Sequence, residues 1–475
     1  MSDVVVIGAG VGGLSVATRL AAAGHRVTVF EQSGTVGGKL AVHERDGYRF
    51  DTGPSLLTLP HLFEDLNLQP QPLDPVVRHV FPDGTTLDSS PDHATFLNRI
   101  TAALGPSASA DWDRFWHRAE RIWHASYDSV LTRPVTAASL ARLSWRFRDL
   151  AAIAPGRSLR DLGRRYLRDP RLRMLLDRYA TYTGTDPRRA PAALAAIPYA
   201  ELTHGGWYLA GGLGTLADAL HAACVASGVR VELHSPVTAI EADSAVRGVR
   251  LGERTFFPAD IVVSNADAVT LYRDLLPTPG RLGGLADRSL AGFVLLLGVR
   301  GETPELAHHT VFFPHNYDAE FDAIFGSPGR RARPADDPAV FVTRAADPTV
   351  HPPGREAWFV LVNTPRHGTE HSAVDWRRPG LAEAYRDHVL ELLARRGLDV
   401  RDRLEFAEVR TPADLAEAVA APGGAIYGTT GGLLRPANQG PVDGLYLVGG
   451  SAHPGGGLPM VTLSAAIVAN RIGPA

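Results

Sequence analysis

The first part of the chain combines strand-like and helix-like hydrophobic patterns. Residues 4–7 form a continuous run of β-branched side chains, which is typical of a strand buried in a parallel sheet. Residues 14–20 then carry apolar side chains at helical spacing, and a second short strand is predicted over residues 26–30. Glu31 follows this second strand. The pattern therefore predicts a strand–helix–strand unit with an acidic residue at its end.

Further strands are predicted over residues 228–233, 260–266 and 445–448, and a last helix begins near Pro459, a residue suited to the first helical turn. The longest apolar run, residues 291–299, is much shorter than the ~18 residues that cross a bilayer. The start of the chain also lacks the basic and long apolar regions of a secretory signal. We therefore predict a cytoplasmic protein without a transmembrane segment.

Composition excludes several classes of function. The chain has 475 residues, 45% of them hydrophobic, and a net charge of −3, which argues against a globally basic nucleic-acid-binding protein. Its single cysteine, Cys224, excludes a disulfide framework and a thiolate metal cluster, so no metal site is predicted. Lys39 is the only lysine among 48 basic residues, so chemistry that needs a lysine is restricted to that position.

The glycines between the first strand and the first helix have the spacing of a dinucleotide-binding turn. Gly8 permits the tight turn, Gly10 lets the backbone approach a pyrophosphate, and Gly13 lets helix and strand pack closely. The helix then presents free N–H groups and its positive dipole end to the phosphates. Glu31, 18 residues after Gly13, is placed to accept hydrogen bonds from ribose hydroxyls, which argues against NADP.

A second glycine pair follows within ten residues of Glu31, and Lys39 comes directly after it. A nicotinamide-binding domain normally proceeds at once to a further helix and strand. Two more glycines and a cation can instead wrap a longer, fixed cofactor and neutralise its diphosphate. This segment therefore favours a flavin dinucleotide.

With these residues the chain resembles the FAD-binding superfamily of amine oxidases, protoporphyrinogen oxidase, Rab GDP-dissociation inhibitors and bacterial phytoene and carotenoid desaturases. The shared signature is matched by residues 8–14, Glu31 and residues 37–39. The segments that resemble carotenoid desaturases, especially the 3,4-desaturases of hydroxylated or methoxylated carotenoids, are residues 182–187, 190–192, 205–212, 308–317 and 445–460.

The resemblance implies an α/β fold in which a Rossmann-like FAD-binding domain is assembled from residues 1–70, 205–280 and 420–475. The remaining residues, 71–204 and 281–419, would form an α+β substrate domain. The residues that the resemblance places at the FAD are Gly8, Gly10, Val11, Gly12, Gly13, Glu31, Gln32, Gly37, Gly38, Lys39, Gly53, Pro54, Ser55, Val237, Asn265, Gly449, Gly450, Gly457, Leu458, Pro459 and Met460.

The C-terminal motif has its own physical interpretation. A glycine-rich loop over residues 449–457 lets the backbone lie flat against a planar ring system. The helix that starts near Pro459 would direct its N-terminus at the pyrimidine edge of a flavin, where negative charge develops on reduction.

The implied activity is desaturation of a carotenoid, with a hydride passing to FAD and a proton leaving the adjacent carbon. A hydrophobic polyene is then the substrate, and a quinone or O2 is the candidate electron acceptor. His453 is the first candidate for proton transfer or substrate placement, and Glu201 and His204 are weaker ones. A carotenoid isomerase or oxygenase, a flavin amine oxidase and a non-catalytic prenyl-lipid carrier are the alternatives. Amine oxidases typically carry a lysine at the flavin, and this chain has only Lys39.

Residues 141–180 carry eleven arginines against four aspartates, and the tryptophans Trp112, Trp116, Trp123 and Trp145 lie in or just before this stretch. Cations for anionic headgroups and indoles for the boundary are typical of a peripheral membrane surface. We therefore expect helices around residues 110–180 to dock on the inner face of the membrane. The alternative is a solvated helical face with tryptophans in the core.

Overall fold

The computed structural model describes residues 1–134, 153, 155–430 and 435–475. The strands are β1 (Asp3–Ile7), β2 (Arg26–Phe30), β3 (Val42–Arg45), β4 (Tyr48–Asp51), β5 (Gln71–Pro72), β6 (Arg78–Val80), β7 (Thr86–Asp88), β8 (Trp207–Tyr208), β9 (Arg230–Glu232), β10 (Val237–Ala242), β11 (Val246–Leu251), β12 (Thr255–Pro258), β13 (Ile261–Ser264), β14 (Ala291–Arg300), β15 (His309–Phe312), β16 (Val340–Arg344), β17 (Arg355–Thr364), β18 (Arg366–His367), β19 (Ala373–Val374), β20 (Leu404–Arg410) and β21 (Leu445–Leu447).

The α-helices of the described residues are α1 (Val11–Ala22), α2 (His93–Leu104), α3 (Pro106–Ser126), α4 (Leu159–Tyr166), α5 (Pro170–Arg178), α6 (Ala196–His204), α7 (Gly214–Ala226), α8 (Ala268–Thr270), α9 (Pro279–Leu282), α10 (Tyr317–Phe325), α11 (Leu381–Arg395), α12 (Pro412–Ala418) and α13 (Leu458–Ile472). A π-helical turn, Tyr127–Leu131, extends α3.

A five-stranded parallel sheet has the order β21-β13-β1-β2-β9. Its strands come from the start, the middle and the end of the chain. Helices α1, α7 and α13 pack together beside it, and their apolar faces share one buried core with β1 and β2. The strands predicted near residues 4, 26, 228, 260 and 445 and the final helix are confirmed. The division into two domains stays a prediction.

A seven-stranded sheet of order β20-β14-β17-β16-β15-β6-β7 forms a second layer. Its β14 is the apolar run of residues 291–299, and it pairs with β17 and β20 as a central antiparallel strand. A helical layer of α2 to α6 packs against α10 and the segment around Val311 and Phe313, and it has a large buried core of its own. The α/β fold class is confirmed. No helix of the described residues is long and apolar enough to span a bilayer.

The expected interfacial tryptophans are instead part of this helical core. Trp112 is fully buried, and Trp116 and Trp123 are 8% exposed. Trp112 packs edge-on against Phe96 with ring centroids 5.4 Å apart, and Trp116 lies 4.8 Å from the ring of Tyr199. The membrane interpretation of these three side chains is therefore wrong, because α3 turns its aromatic face inwards. Trp145 lies outside the described residues.

Several arginines of the basic stretch are also bound to carboxylates. Arg160 contacts Asp177 and Asp318 at 2.7 and 2.6 Å, Arg168 contacts Asp111, and Arg171 contacts Asp169 and Asp83. These pairs tie α4 and α5 to neighbouring elements and neutralise part of the predicted charge. Arg142, Arg146 and Arg148 lie outside the described residues.

Candidate cofactor site

The glycine turn between β1 and α1 has the geometry that the sequence predicts. Gly8 has a φ of +94°, which a side chain would strain. A Cβ on Gly13 would lie 2.0 Å from the carbonyl oxygen of Gly8, so the strand and helix meet there only because residue 13 is glycine. Gly10 precedes α1 and has no side-chain cap, so the first amides of the helix face the turn without a competing side chain. A phosphate fits such a cradle.

Glu31 holds the glycine turn to the end of β2. One carboxylate oxygen accepts a hydrogen bond from the Ala9 N–H at 2.7 Å, and the other accepts one from the Ser33 N–H at 2.9 Å. The residue is 8% exposed. Each oxygen keeps a second lone pair for a ribose hydroxyl. The sequence indicated the ribose contact but gave no sign of this backbone role.

Asn265 lies where three distant segments of the chain converge. Its N–H donates to the Ile7 carbonyl at 2.9 Å. Its side-chain oxygen leaves no room for a side chain on either neighbouring loop, since a Cβ on Gly12 or on Gly449 would lie 2.7 or 2.4 Å from it. The N-terminal glycine turn and the C-terminal glycine loop therefore meet at this asparagine, as the predicted site requires.

Lys39 is half-buried and binds the main chain of a distant segment. Its Nζ donates to the carbonyls of Ala425 and Ile426 at 3.2 and 2.6 Å. Burial lowers the pKa of Lys39 to about 8. A Cβ on Gly53 would lie 1.8 Å from the Lys39 carbonyl oxygen, so residues 39 and 53 can approach only with glycine at 53. The neutralisation of a diphosphate by Lys39 stays a prediction.

The half-buried Lys39 predicts a stability that depends on pH. Between pH 8 and 10.5 the unfolded chain keeps the lysine proton while the folded chain loses it, so the folded state gains stability as the pH rises. We expect the unfolding free energy of the cofactor-free protein, relative to Lys39→Met, to rise by about 3 kcal/mol across this window. Urea denaturation at stepped pH measures it. A difference that stays constant with pH would contradict the lowered pKa.

The C-terminal loop links β21 to α13. Gly457 precedes α13 with a φ of +102° and provides no side-chain cap, and Pro459 lies in the first turn as predicted. The buried Asn438 shapes this loop, because its side-chain amide donates to the carbonyls of Leu447 and His453 at 3.1 and 2.8 Å. No sequence motif marks Asn438, because its role depends on the folded loop.

His453 is buried and faces the end of α3. Its Nε2 lies 3.0 Å from the carbonyl oxygens of both Val130 and Arg133, while Nδ1 has no partner. Two acceptors at Nε2 favour the tautomer that carries its proton there. Burial lowers the pKa of His453 and so favours the neutral ring. The ring thus ties the C-terminal loop to the π-helical turn, and its part in proton transfer stays a prediction.

Glu201 and His204 both lie on α6 but have separate partners. Glu201 is buried and accepts hydrogen bonds from the hydroxyls of Tyr179 and Tyr182, each at 2.8 Å. Burial raises the pKa of Glu201. The two hydrogen bonds make its carboxyl part of a buried cluster with both tyrosines. The His204 ring lies 5.8 Å from that of His61, and burial lowers its pKa. Catalytic roles for both residues stay predictions.

Four further predicted site residues lie at separate places, each with its own surroundings. Gln32 is exposed, and Val237 begins β10, where it packs on a core that contains Phe30. The Ser55 carbonyl oxygen lies 3.1 Å from Nε2 of His309. Met460, one turn into α13, packs against the helical core. Among the described residues, no group of three histidine, cysteine or acidic side chains is arranged to hold a metal ion.

Comparison with known proteins agrees with this geometry. A profile of the family described as flavin containing amine oxidoreductase matches residues 11–473. A 4,4'-diapolycopene oxygenase of Methylomonas sp is 34% identical over 495 residues, which cover 99% of this chain and 97% of that protein. A 4,4'-diaponeurosporene oxygenase of Staphylococcus aureus is 31% identical over 496 residues, with the same coverage.

Solved structures show the same fold at low sequence identity. An oxidoreductase from Methanosarcina mazei superposes with a TM-score of 0.65 and 17% identity, covering 98% of this chain and all of its own. Cyclohexylamine oxidase from Brevibacterium oxydans superposes with a TM-score of 0.57 and 16% identity, and 99% of each chain is covered.

Proposed function

Because this chain belongs to the family of flavin-containing amine oxidoreductases, whose cofactor is FAD, we propose that it is a carotenoid oxidoreductase that introduces oxygen at the end of a linear polyene. The observation that carries the proposal is similarity over 99% of the chain to two proteins named as diapocarotenoid oxygenases. Both names describe an oxygenase, and both matches cover almost the whole chain.

The residues present fit FAD. The uncapped glycine turn at the start of α1 suits the diphosphate, and Glu31 has free lone pairs for a ribose. Asn265 brings the C-terminal glycine loop to the same place. When bound, FAD supplies a two-electron acceptor next to the substrate.

The interior beside this site suits an apolar substrate. Met460 extends from α13 into the helical core, whose members include Trp116, Tyr199 and Phe313. Glu201, a buried acidic residue beside that core, is held by two tyrosine hydroxyls, and burial favours its neutral form. Such surroundings exclude water and position a polyene by contact area, with little need for charged groups.

Desaturation is the second candidate, because residues 182–187 and 205–212 resemble the corresponding segments of carotenoid desaturases. Expression in a host that accumulates linear carotenes, followed by mass spectrometry of the pigments, separates the two activities. Oxygenation adds oxygen to the carotene, whereas desaturation removes two hydrogens and adds none. Unchanged carotenes with a flavin-loaded protein would contradict both activities, and a colourless purified protein would indicate a carrier. The same host without the gene is the control.

We also propose that the protein reaches its water-insoluble substrate by docking on an anionic membrane surface. Arg157, Arg164 and Arg165 are exposed, and no carboxylate of the described residues lies within ion-pair distance of them. These exposed guanidinium groups, two on α4 and one just before it, suit anionic headgroups. In this docking hypothesis the three arginines contact the membrane, and the tryptophans do not.

The docking surface predicts a charge-dependent association. We expect the double variant Arg164→Gln/Arg165→Gln to bind liposomes containing phosphatidylserine about thirtyfold more weakly than the wild type, since each of the two basic residues near such a surface contributes about 1 kcal/mol. Sedimentation with liposomes at fixed salt measures it. Arg401→Gln, which removes an exposed arginine paired with Asp399, is the matched control. Equal binding of the double variant and the wild type would refute docking by this patch.

A further inference from the structure

A cavity of about 110 Å³ lies where the segment before β14 meets the end of α10 and the start of β18. Two arginines, Arg288 and Arg366, form the cationic side of its lining. Three apolar residues, Leu290, Ile324 and Phe325, form the apolar side. A lining with both a cationic and an apolar part suits a small amphiphilic molecule.

Arg288 forms the floor of the cavity and has an unused donor. Its side chain is 5% exposed and contacts Asp267 at 2.8 Å, with Thr429 3.4 Å away. Its Nε–H, although buried, has no hydrogen-bond partner among the described residues. An unpaired buried donor costs about 1–3 kcal/mol, and the cost is higher on a charged group. A native arginine in this position therefore points to an acceptor that the protein itself does not supply.

Arg366 adds a second positive charge, which Asp287 and Glu370 offset only from a distance. It donates to the Ser372 hydroxyl at 3.1 Å, but no carboxylate of the described residues lies within 4 Å of its guanidinium. Burial and the neighbouring Arg288 both lower the pKa of Arg366. Arg288 is paired with Asp267, whereas Arg366 forms no direct ion pair with a carboxylate of the described residues, so the charge of Arg366 is not neutralised by contact.

The entrance differs from the floor. Arg189 and Asp287 line the cavity and pair with each other at 2.7 Å, and their side chains are 60% and 38% exposed. The charges at the entrance therefore cancel, and the uncompensated charge lies deeper, next to the apolar side. An inorganic anion would satisfy only the cationic side and would leave the apolar side in contact with water.

We propose that this cavity binds a short-chain monocarboxylate, with the carboxylate on Arg288 and Arg366 and the apolar stem against Leu290 and Phe325. Guanidinium groups match carboxylate oxygens in a planar, often bidentate geometry. Arg288 has an unused Nε–H for such a contact, and the apolar side removes the stem from water. The site does not depend on the reaction proposed above, and its ligand is distinct from FAD and from a polyene.

Isothermal titration calorimetry of the FAD-loaded protein with sodium butyrate, at constant ionic strength kept with sodium chloride, tests the proposal. We expect saturable binding at one site. Arg366→Gln is expected to weaken the dissociation constant about tenfold or more, because it removes hydrogen bonds to a charged group. Arg401→Gln, an arginine on a distant surface turn, is expected to leave the constant unchanged.

Arg366→Lys serves as the second variant. It keeps the charge and loses the fork of donors, so we expect weakening that is smaller than that of Arg366→Gln, and it decides the question if the glutamine variant does not fold. Absence of saturable heat, or equal affinity in the wild type and the Arg366 variants, would overturn the site. Tighter binding of inorganic phosphate than of butyrate would overturn the assignment of a carboxylate with an apolar stem.

Discussion

Gly13→Ala is expected to give a protein that does not retain FAD and is destabilised by about 3 kcal/mol or more. The added Cβ would lie 2.0 Å from the Gly8 carbonyl oxygen and 3.3 Å from Cβ of Asn265. Both residues are held by main-chain hydrogen bonds, Gly8 to Phe30 and Asn265 to Ile7, and neither atom is the end of a flexible side chain that could swing away. The helix must move off the strand, and the turn that would hold the diphosphate opens with it.

The flavin-to-protein absorbance ratio and thermal unfolding of the purified variant measure these two effects. Gly283→Ala is a matched control, since a Cβ there meets nothing within 4 Å, and we expect it to retain FAD and to unfold as the wild type does. A Gly13→Ala protein with full flavin occupancy would contradict both the tight packing and the position of the cofactor.

Local sequence was sufficient for the elements around this turn. The buried strand, the glycine spacing and the amphipathic helix lie within the first part of the chain, and each is determined by its neighbours in sequence. The same holds for β21, the glycine loop and α13 at the other end. The resemblance to flavoproteins then supplied what periodicity could not, namely that these two ends meet, which the structure shows at Asn265.

The sequence could not reveal hydrogen bonds and ion pairs between residues that lie far apart along the chain. Lys39 binds carbonyls 386 and 387 residues away, and such acceptors have no side-chain signature. Arg160 and Arg168 add to the net positive charge of residues 141–180, but in the structure they pair with Asp318 and Asp111, which lie outside that stretch. The tryptophans are a different case. Trp112, Trp116 and Trp123 recur on one face of α3, a spacing that already favours a core position.

Replacing Glu31 by alanine is expected to weaken FAD binding by about a hundredfold or more, because a charged acceptor for the ribose is lost. The same change frees the Ala9 and Ser33 amides, which the carboxylate binds at 2.7 and 2.9 Å. Two effects therefore add in this variant. One acts on the cofactor directly, and the other loosens the glycine turn that faces the diphosphate.

Stability of the cofactor-free protein separates the two effects. Loss of the two backbone contacts lowers it by about 1–3 kcal/mol, whereas loss of the ribose contact leaves it unchanged. Fluorescence titration with FAD measures the affinity, and urea denaturation measures the stability. Glu232→Ala is the matched control, because Glu232 ends the neighbouring strand and its side chain pairs with the exposed Arg230. Normal FAD affinity together with lowered stability would reduce Glu31 to a structural residue, and the ribose would then need another acceptor.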